Sequence, residues 1–353
     1  MQIKVDKIAS CTKNVPLKAH DVEIRRKITA EDGAVIVVEV LQNKKIYNQL
    51  ELTTGRLSTI HKNDILVVSL GSRRALKGFA GDVPKKVKYG DILHLLNFGG
   101  VTGICTSSSI GAVGQPLKVR VLGSVVDKNN NPINIQNYSI FKPENTIKSK
   151  IPVIAISGTC MHVGKTTIAA ELIKTASHSN FKVAGAKVAG IAALRDTLKM
   201  EDYGAIKAVS ITDAGHTTTA NMEELSVAIA KGAINYLSKD NPDLIVIELG
   251  DGILGEYGVL NVLEDKEFQQ VLAAHIGCAG DPLGAAKLFE ICQAIGVPLH
   301  LISGPVTDNS VGTDFIKEYM NIKAFNCISQ GERLLPGLIK KALEFNLATP
   351  IES

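Results

Sequence analysis

The sequence predicts an α/β protein: a doubly wound, mostly parallel sheet forming a P-loop domain, with a smaller β-rich domain ahead of it. Three observations predict it. An apolar, β-branched run at 153–156 leads through S-G-T-C-M-H-V into G-K-T-T and a helical apolar pattern at Ile168, Leu172 and Ile173. Beyond it, short apolar runs alternate with helical stretches, the rhythm of βα units that build a parallel sheet. Ahead of it, residues 1–140 hold short β-branched runs separated by turn residues, the rhythm of a barrel or sandwich.

At 353 residues the chain exceeds one typical domain. The expected division is 1–141, a polar linker at 142–150 (K-P-E-N-T-I-K-S-K), and 151–353. A hydrophobic content of 45% allows a proper core, and no apolar run is long enough to span a bilayer, so no membrane role is expected. The opening M-Q-I-K-V-D-K has no secretory pattern, and the six scattered cysteines contain no C-x-x-C. Both point to the reducing cytoplasm. The net charge of +4 hides an asymmetry: residues 1–150 carry 23 Lys and Arg against 12 Asp and Glu, and the remainder 16 against 23. The basic groups (Arg25-Arg26-Lys27, Arg73-Arg74, Lys85-Lys86-Lys88) lack interleaved aromatics. That favours a solvated or interdomain surface over nucleic-acid binding.

In the first domain, strands are expected at 35–40, 65–70, 92–96 and 119–126, with turns at Glu31-Asp32-Gly33, Lys62-Asn63-Asp64 and Tyr89-Gly90-Asp91. The small-residue segment 99–114 reads as a connection or bulged strand rather than a ligand loop. In the second domain, strands are expected at 153–156, 183–187, 244–248, 275–277, 300–302 and 324–328. Helices are expected to open at Lys165 and to span 222–237 and 282–294. Ligands in such a fold bind at the carboxyl ends of the strands.

Four clusters follow strand ends. The first is the phosphate loop, Gly158, Thr159, His162, Val163, Gly164, Lys165, Thr166 and Thr167, with Cys160 in its middle as a candidate substrate contact. Backbone N–H groups and a helix N-terminus would face the anion, Lys165 would supply a point charge, and the Thr166 hydroxyl would reach Mg²⁺. Five residues, not the usual four, separate Gly158 from Gly164. The second cluster is A-G-A-K-V-A-G, where Lys187 ends an apolar strand; a lysine there is costly unless it meets solvent or an anion. The third, D-L-I-V-I-E-L-G-D-G, ends in Glu248 as a metal carboxylate, with Asp251 as a catalytic candidate in the next turn. The fourth holds Asp202 and the segment I-T-D-A-G-H-T-T-T; Asp202 or Asp213 could complete the metal shell, and His216 could touch substrate.

With these motifs in place, residues 151–345 resemble dethiobiotin synthetase and the wider SIMIBI-class group that holds the cobyrinic acid amide synthetases. The likeness rests on G-T-x-x-x-V-G-K-T, the G-x-K after the second strand, and an acid–Gly pair after an apolar strand. By this resemblance Lys165 and Thr166 take the phosphate and metal roles, and Lys187 lies near phosphate and substrate. Asp202 and Glu248 become the metal ligands, Gly277-Cys278 closes the next strand, and 304–309, beginning Gly304-Pro305, takes the place of the adenine loop. It also implies ATP and Mg²⁺ as cofactors and a homodimer. Departures matter: Cys160 and His162 replace acids of the dethiobiotin synthetase loop, and Leu249-Gly250-Asp251-Gly252 follows Glu248 where that enzyme has Gly-Ala-Gly-Gly. Biotin synthesis is therefore not expected. No N-K-x-D follows the late strands, which favours adenine over guanine.

The expected function is a Mg-ATP-dependent ligase or kinase that activates or phosphorylates a small carboxylic acid. The alternatives are a nucleotide-driven metal-insertion or cofactor-maturation factor, with Cys160 and His162 as metal donors, and an ATP-binding regulatory module.

Overall fold

A computed structural model describes residues 1–17 and 21–345. The end of the expected second domain, 346–353, lies outside the described residues. Contacts divide the chain into two units. Unit 1 is Met1–Lys142 together with Ile191–Arg195 and Ile211–Ala220, and unit 2 is the rest.

Unit 1 is built on five strands: β1 (Val35–Val40), β2 (Ile65–Leu70), β3 (Ile92–Leu95), β4 (Val101–Ser108) and β5 (Leu117–Val125). Strand β1 pairs antiparallel with β2 and with β5, β2 runs parallel to β4, and β3 joins β4 to β5. The ring closes into a barrel, which leaves these strands no free edge. Ile36, Val38, Leu66 and Val68 face one core, while Val35, Val37 and Val67 face a second under the N-terminal strand Asp21–Arg25. Burial on both faces explains why these strands read as continuous apolar runs rather than alternating ones. The expected strands at 35–40 and 65–70 form as drawn. Segment 99–114 contains strand β4, with a register shift between Cys105 and Ser107.

The two later segments of unit 1 are held by buried polar groups. Glu51 is 1% exposed. Its carboxylate accepts the Ser10 hydroxyl and the backbone N–H groups of Leu194 and Arg195 at 2.7 and 2.8 Å. The Asn97 amide donates to the Ala192 carbonyl, Lys13 pairs with Asp213 at 2.8 Å, and the Thr217 hydroxyl donates to Asp32.

Unit 2 carries a seven-stranded sheet, parallel throughout. Its strands are β6 (Val153–Gly158), β7 (Val183–Ala189), β8 (Lys207–Ser210), β9 (Leu244–Leu249), β10 (Leu272–Cys278), β11 (Leu301–Ser303) and β12 (Lys323–Ala324). Their order across the sheet is β8-β7-β9-β6-β10-β11-β12. The chain winds outward one way from β6 through β7 and β8, then returns past it through β9 and β10. This reversal creates the switch point at which α/β sheets bind ligands.

The principal helices are α1 (Lys165–His178), α2 (Leu194–Asp202), α3 (Glu223–Ser238), α4 (Pro282–Ala294), α5 (Ser310–Met320) and α6 (Cys327–Phe345). Helix α1 buries Ile168, Leu172 and Ile173 against the sheet, as their spacing predicts. Two expectations need correcting. The expected strand at 324–328 stops at Ala324, because the Asn326 side chain accepts the N–H groups of Ile328 and Ser329 and starts helix α6. Edge strand β8 has no counterpart among the expected strands: K-A-V-S is too short to show a period. Among the described residues no helix is long and apolar enough to cross a membrane.

Candidate functional site

The carboxyl end of β6 runs into the loop 158–164 and then into helix α1, whose N-cap Gly164 has a left-handed backbone (φ +94°). The first helical N–H groups are therefore left for a ligand rather than a side-chain cap. Lys165, 6% exposed, folds back so that its Nζ donates to the Cys160 carbonyl at 2.8 Å, across the turn. The Cys160 thiol donates to the Met161 carbonyl at 3.2 Å. His162 is exposed and left-handed (φ +65°), whereas the Val163 side chain packs into the sheet core.

Neighbouring turns enclose this loop. A Cβ on Gly252 would lie 2.5 Å from the Thr159 carbonyl, and one on Gly304 would lie 2.6 Å from the Val163 carbonyl. Ile253 N–H donates to the Gly158 carbonyl at 2.8 Å. The glycines after β9 and β11 are thus there because backbone must approach backbone. Gly304 stands beside the loop. Asp251 lies in the first of these turns with φ +68°. Thr167 turns aside, accepting Lys199 Nζ at 3.2 Å.

Strand register gathers the charges. Ile156 and Lys187 both pair with Glu248, so the ends of β6, β7 and β9 are neighbours. The Thr166 hydroxyl donates to Glu248 Oε1 at 2.8 Å, while Glu248 Oε2 is buried with no hydrogen-bond partner among the described residues. Lys187 Nζ donates to Asp196. Burial, and then the Asp196 charge, push Glu248 above the usual carboxylate range, opposed by Lys187, Lys165 and the Thr166 hydroxyl. Two lysines, two carboxylates and one hydroxyl thus form one buried cluster.

The sequence reading missed Asp196. The resemblance implies Asp202 as the second acid, but Asp202 is exposed in the last turn of α2. Six residues turn a helix by about 240°, so the two acids leave on different faces. A-L-R-D-T offers no motif; the only available signal was that Lys187 needed an anion. Asp213 and His216 belong to unit 1, where Asp213 takes Lys13 and Asn14, and His216 Nδ1 stands 3.9 Å from Asp32 Oδ2.

Beneath the loop, Ser157 shares a 2.8 Å hydrogen bond with His275 Nε2 across β6 and β10. Burial and the neighbouring His300 push His275 down to about 3, so the ring is neutral. Cys278, at the end of β10, is fully buried, and burial raises its thiol.

The residues present fit a magnesium ion. Thr166 and Glu248 offer hard oxygen donors, and the orphaned Glu248 Oε2 is the unsatisfied buried atom such an ion would relieve. Among the described residues no group of three or more His, Cys, Asp and Glu side chains is placed to hold a metal ion unaided.

No family model matches the chain, and no curated protein matches it. Solved structures give low-scoring likenesses. The signal recognition particle receptor FtsY from Elizabethkingia anophelis is 12% identical with a TM-score of 0.40, over 58% of this chain and 68% of that one. The cell division protein FtsY from Thermotoga maritima is 16% identical with a TM-score of 0.36, over 61% and 74%. A nucleotide-binding protein in complex with ADP from Archaeoglobus fulgidus is 13% identical with a TM-score of 0.34, over 57% and 89%. This chain's own strand–loop–helix arrangement in a parallel sheet is that of a P-loop domain.

Proposed function

We propose that unit 2 binds a magnesium–nucleoside triphosphate, ATP by preference, and transfers its terminal phosphoryl group to a small carboxylic acid. The observation that carries this reading is the Thr166–Glu248 pair with its orphaned Oε2, set among Lys165 and Lys187. Thr166 and Glu248 would hold the ion, which when bound neutralises phosphate charge. Lys165, leaving the Cys160 carbonyl, would meet the phosphates. Phosphoryl transfer needs little covalent chemistry from a protein, so positioned cations and backbone N–H groups are the main requirement. Lys187 is the candidate to meet the acid: it is already ion-paired with one carboxylate, Asp196, and an incoming anion could compete for it.

Equilibrium binding of fluorescent ATP and GTP analogues, with Mg²⁺ and with chelator, tests the first part. Wild type should bind the ATP analogue tightly only with Mg²⁺, and Lys165→Ala should lose that binding. Near-normal affinity in Lys165→Ala would defeat the assignment. The second part requires ADP to form in proportion to an added acid from a small-acid panel. ADP formation indifferent to every acid would leave a simple nucleotidase and refute the transfer.

A further inference from the structure

Arg73, in unit 1, is 5% exposed, yet it makes no ion pair among the described residues. Its Nη1 donates to the Tyr47 hydroxyl at 2.8 Å and to the Leu96 carbonyl, and its Nε is buried with no partner among the described residues. Burying a guanidinium without a counter-charge is expensive, and buried charges are ordinarily paired. Its neighbour Arg74 obeys that rule through Asp82.

A second cation shares the place. Lys44 is partly exposed, and its Nζ donates to the Val113 carbonyl at 2.8 Å and stands over the rings of Phe79 and Tyr47 at 5.0 and 5.7 Å. Burial lowers it to about 8, and the group that counters this is the Cys105 thiol rather than a carboxylate. The Cys105 thiol feels the charge of both Arg73 and Lys44.

The third observation is conformational. Tyr47 has a left-handed backbone (φ +53°), which is costly for a bulky residue and recurs at ligand sites. That backbone lets its ring stack on Phe98 at 3.9 Å and meet Phe79 edge-on at 5.5 Å while its hydroxyl reaches Arg73.

We propose that Arg73, Lys44 and the Tyr47 hydroxyl form a binding site for a small oxyanion, a phosphate ester or a carboxylate, on the barrel unit beside Cys105. The site shares no residue with the phosphate loop, which belongs to unit 2. It also gives the basic excess of residues 1–150 a specific use: one tyrosine in a left-handed backbone meets both cations.

Peptide-resolved alkylation of the full chain by iodoacetamide tests this. Rates at Cys105 are compared in inorganic phosphate, in malonate and in potassium chloride of equal ionic strength. A bound oxyanion should slow Cys105 about fivefold at about four times its Kd, by mass action. Lys44→Gln, at a partly exposed position, should abolish the protection, as should Arg73→Gln if it folds. Protection by phosphate alone assigns a phosphate ester, and protection by malonate alone assigns a carboxylate. Cys160, in the phosphate loop, reports that loop's own response in the same sample. Protection at Cys160 with none at Cys105 would overturn the proposal, as would equal protection of Cys105 in Lys44→Gln.

Discussion

Replacing Asp32 with Asn should stabilise the protein relative to wild type more at pH 7 than at pH 4.5. Asp32 Oδ1 accepts the Thr217 hydroxyl, but Oδ2 is buried with no hydrogen-bond partner among the described residues. Burial raises this carboxyl from 3.8 to about 6, against the pull of its two Thr217 hydrogen bonds. A carboxyl raised on folding binds its proton more tightly in the native state. Native stability is therefore greatest below the unfolded value and is lost as pH rises through the folded one. With these two values the ionised group costs about 3 kcal/mol at pH 7 and about 1 kcal/mol at pH 4.5, at 1.36 kcal/mol per unit. The gap between Asp32→Asn and wild type should thus widen by about 2 kcal/mol between the two pH values. Urea unfolding of both chains at each pH, followed by circular dichroism, measures it. His216, lowered by its own burial and then by Lys142, shifts stability with the opposite sign and lies 3.9 Å from Asp32, so both chains are compared in a His216→Gln background, which removes its titration. A gap equal at both pH values would refute the reasoning, because it would mean that Asp32 titrates as an ordinary surface carboxyl.

Three other outcomes follow from unit 2. Glu248→Gln keeps the Thr166 contact but removes the charge, so it should raise the Mg²⁺ needed for half-maximal nucleotide binding about tenfold or more, read by magnesium titration. Gly252→Ala places a Cβ against the Thr159 carbonyl and should weaken nucleotide binding about tenfold or more, through displacement of the loop; unchanged affinity would show that the loop yields freely. Asn326→Ala removes the cap of helix α6 and should cost about 1 kcal/mol in urea unfolding without altering nucleotide affinity.

Much of unit 2 was legible because its signals are local. An apolar run, a glycine turn, Lys165 and a helical period lie within one short stretch, and the structure places them in that relation. Helix α4 matches the expected 282–294, and in the structure Asp281 caps it and Pro282 opens it. What stayed hidden depends on side-chain direction or on distant pairing. Asp196 and Asp202 sit on one helix, and only the phase of that helix decides which one meets Lys187. Asn326 looked like the middle of a strand, since F-N-C-I has the composition of one, until its side chain is seen capping α6. In the barrel, the long central strands showed themselves by composition. Short partners such as Phe79–Asp82, with two glycine or alanine positions in four, did not. Nor could sequence show that Arg73 lacks an acid, because the next acid along the chain, Asp82, pairs with Arg74 instead.

The two late segments of unit 1 bear on how this protein can be divided. A chain ending at Lys142 contains every barrel strand, and by composition it is a plausible free-standing module. It would nevertheless lose the N–H groups that satisfy Glu51, the hydroxyl on Asp32, the carbonyl that takes Asn97 and the acid that takes Lys13. Water would replace the lost partners, so each hydrogen bond forgone costs about 0.5–1.5 kcal/mol net, and the packing of Ile191 and Ala192 on the barrel core goes with them. Together these losses make such a fragment less stable than the intact unit. The barrel is therefore not a bead that evolution or an engineer can move by cutting the chain once; any transplant must carry the two later loops with it.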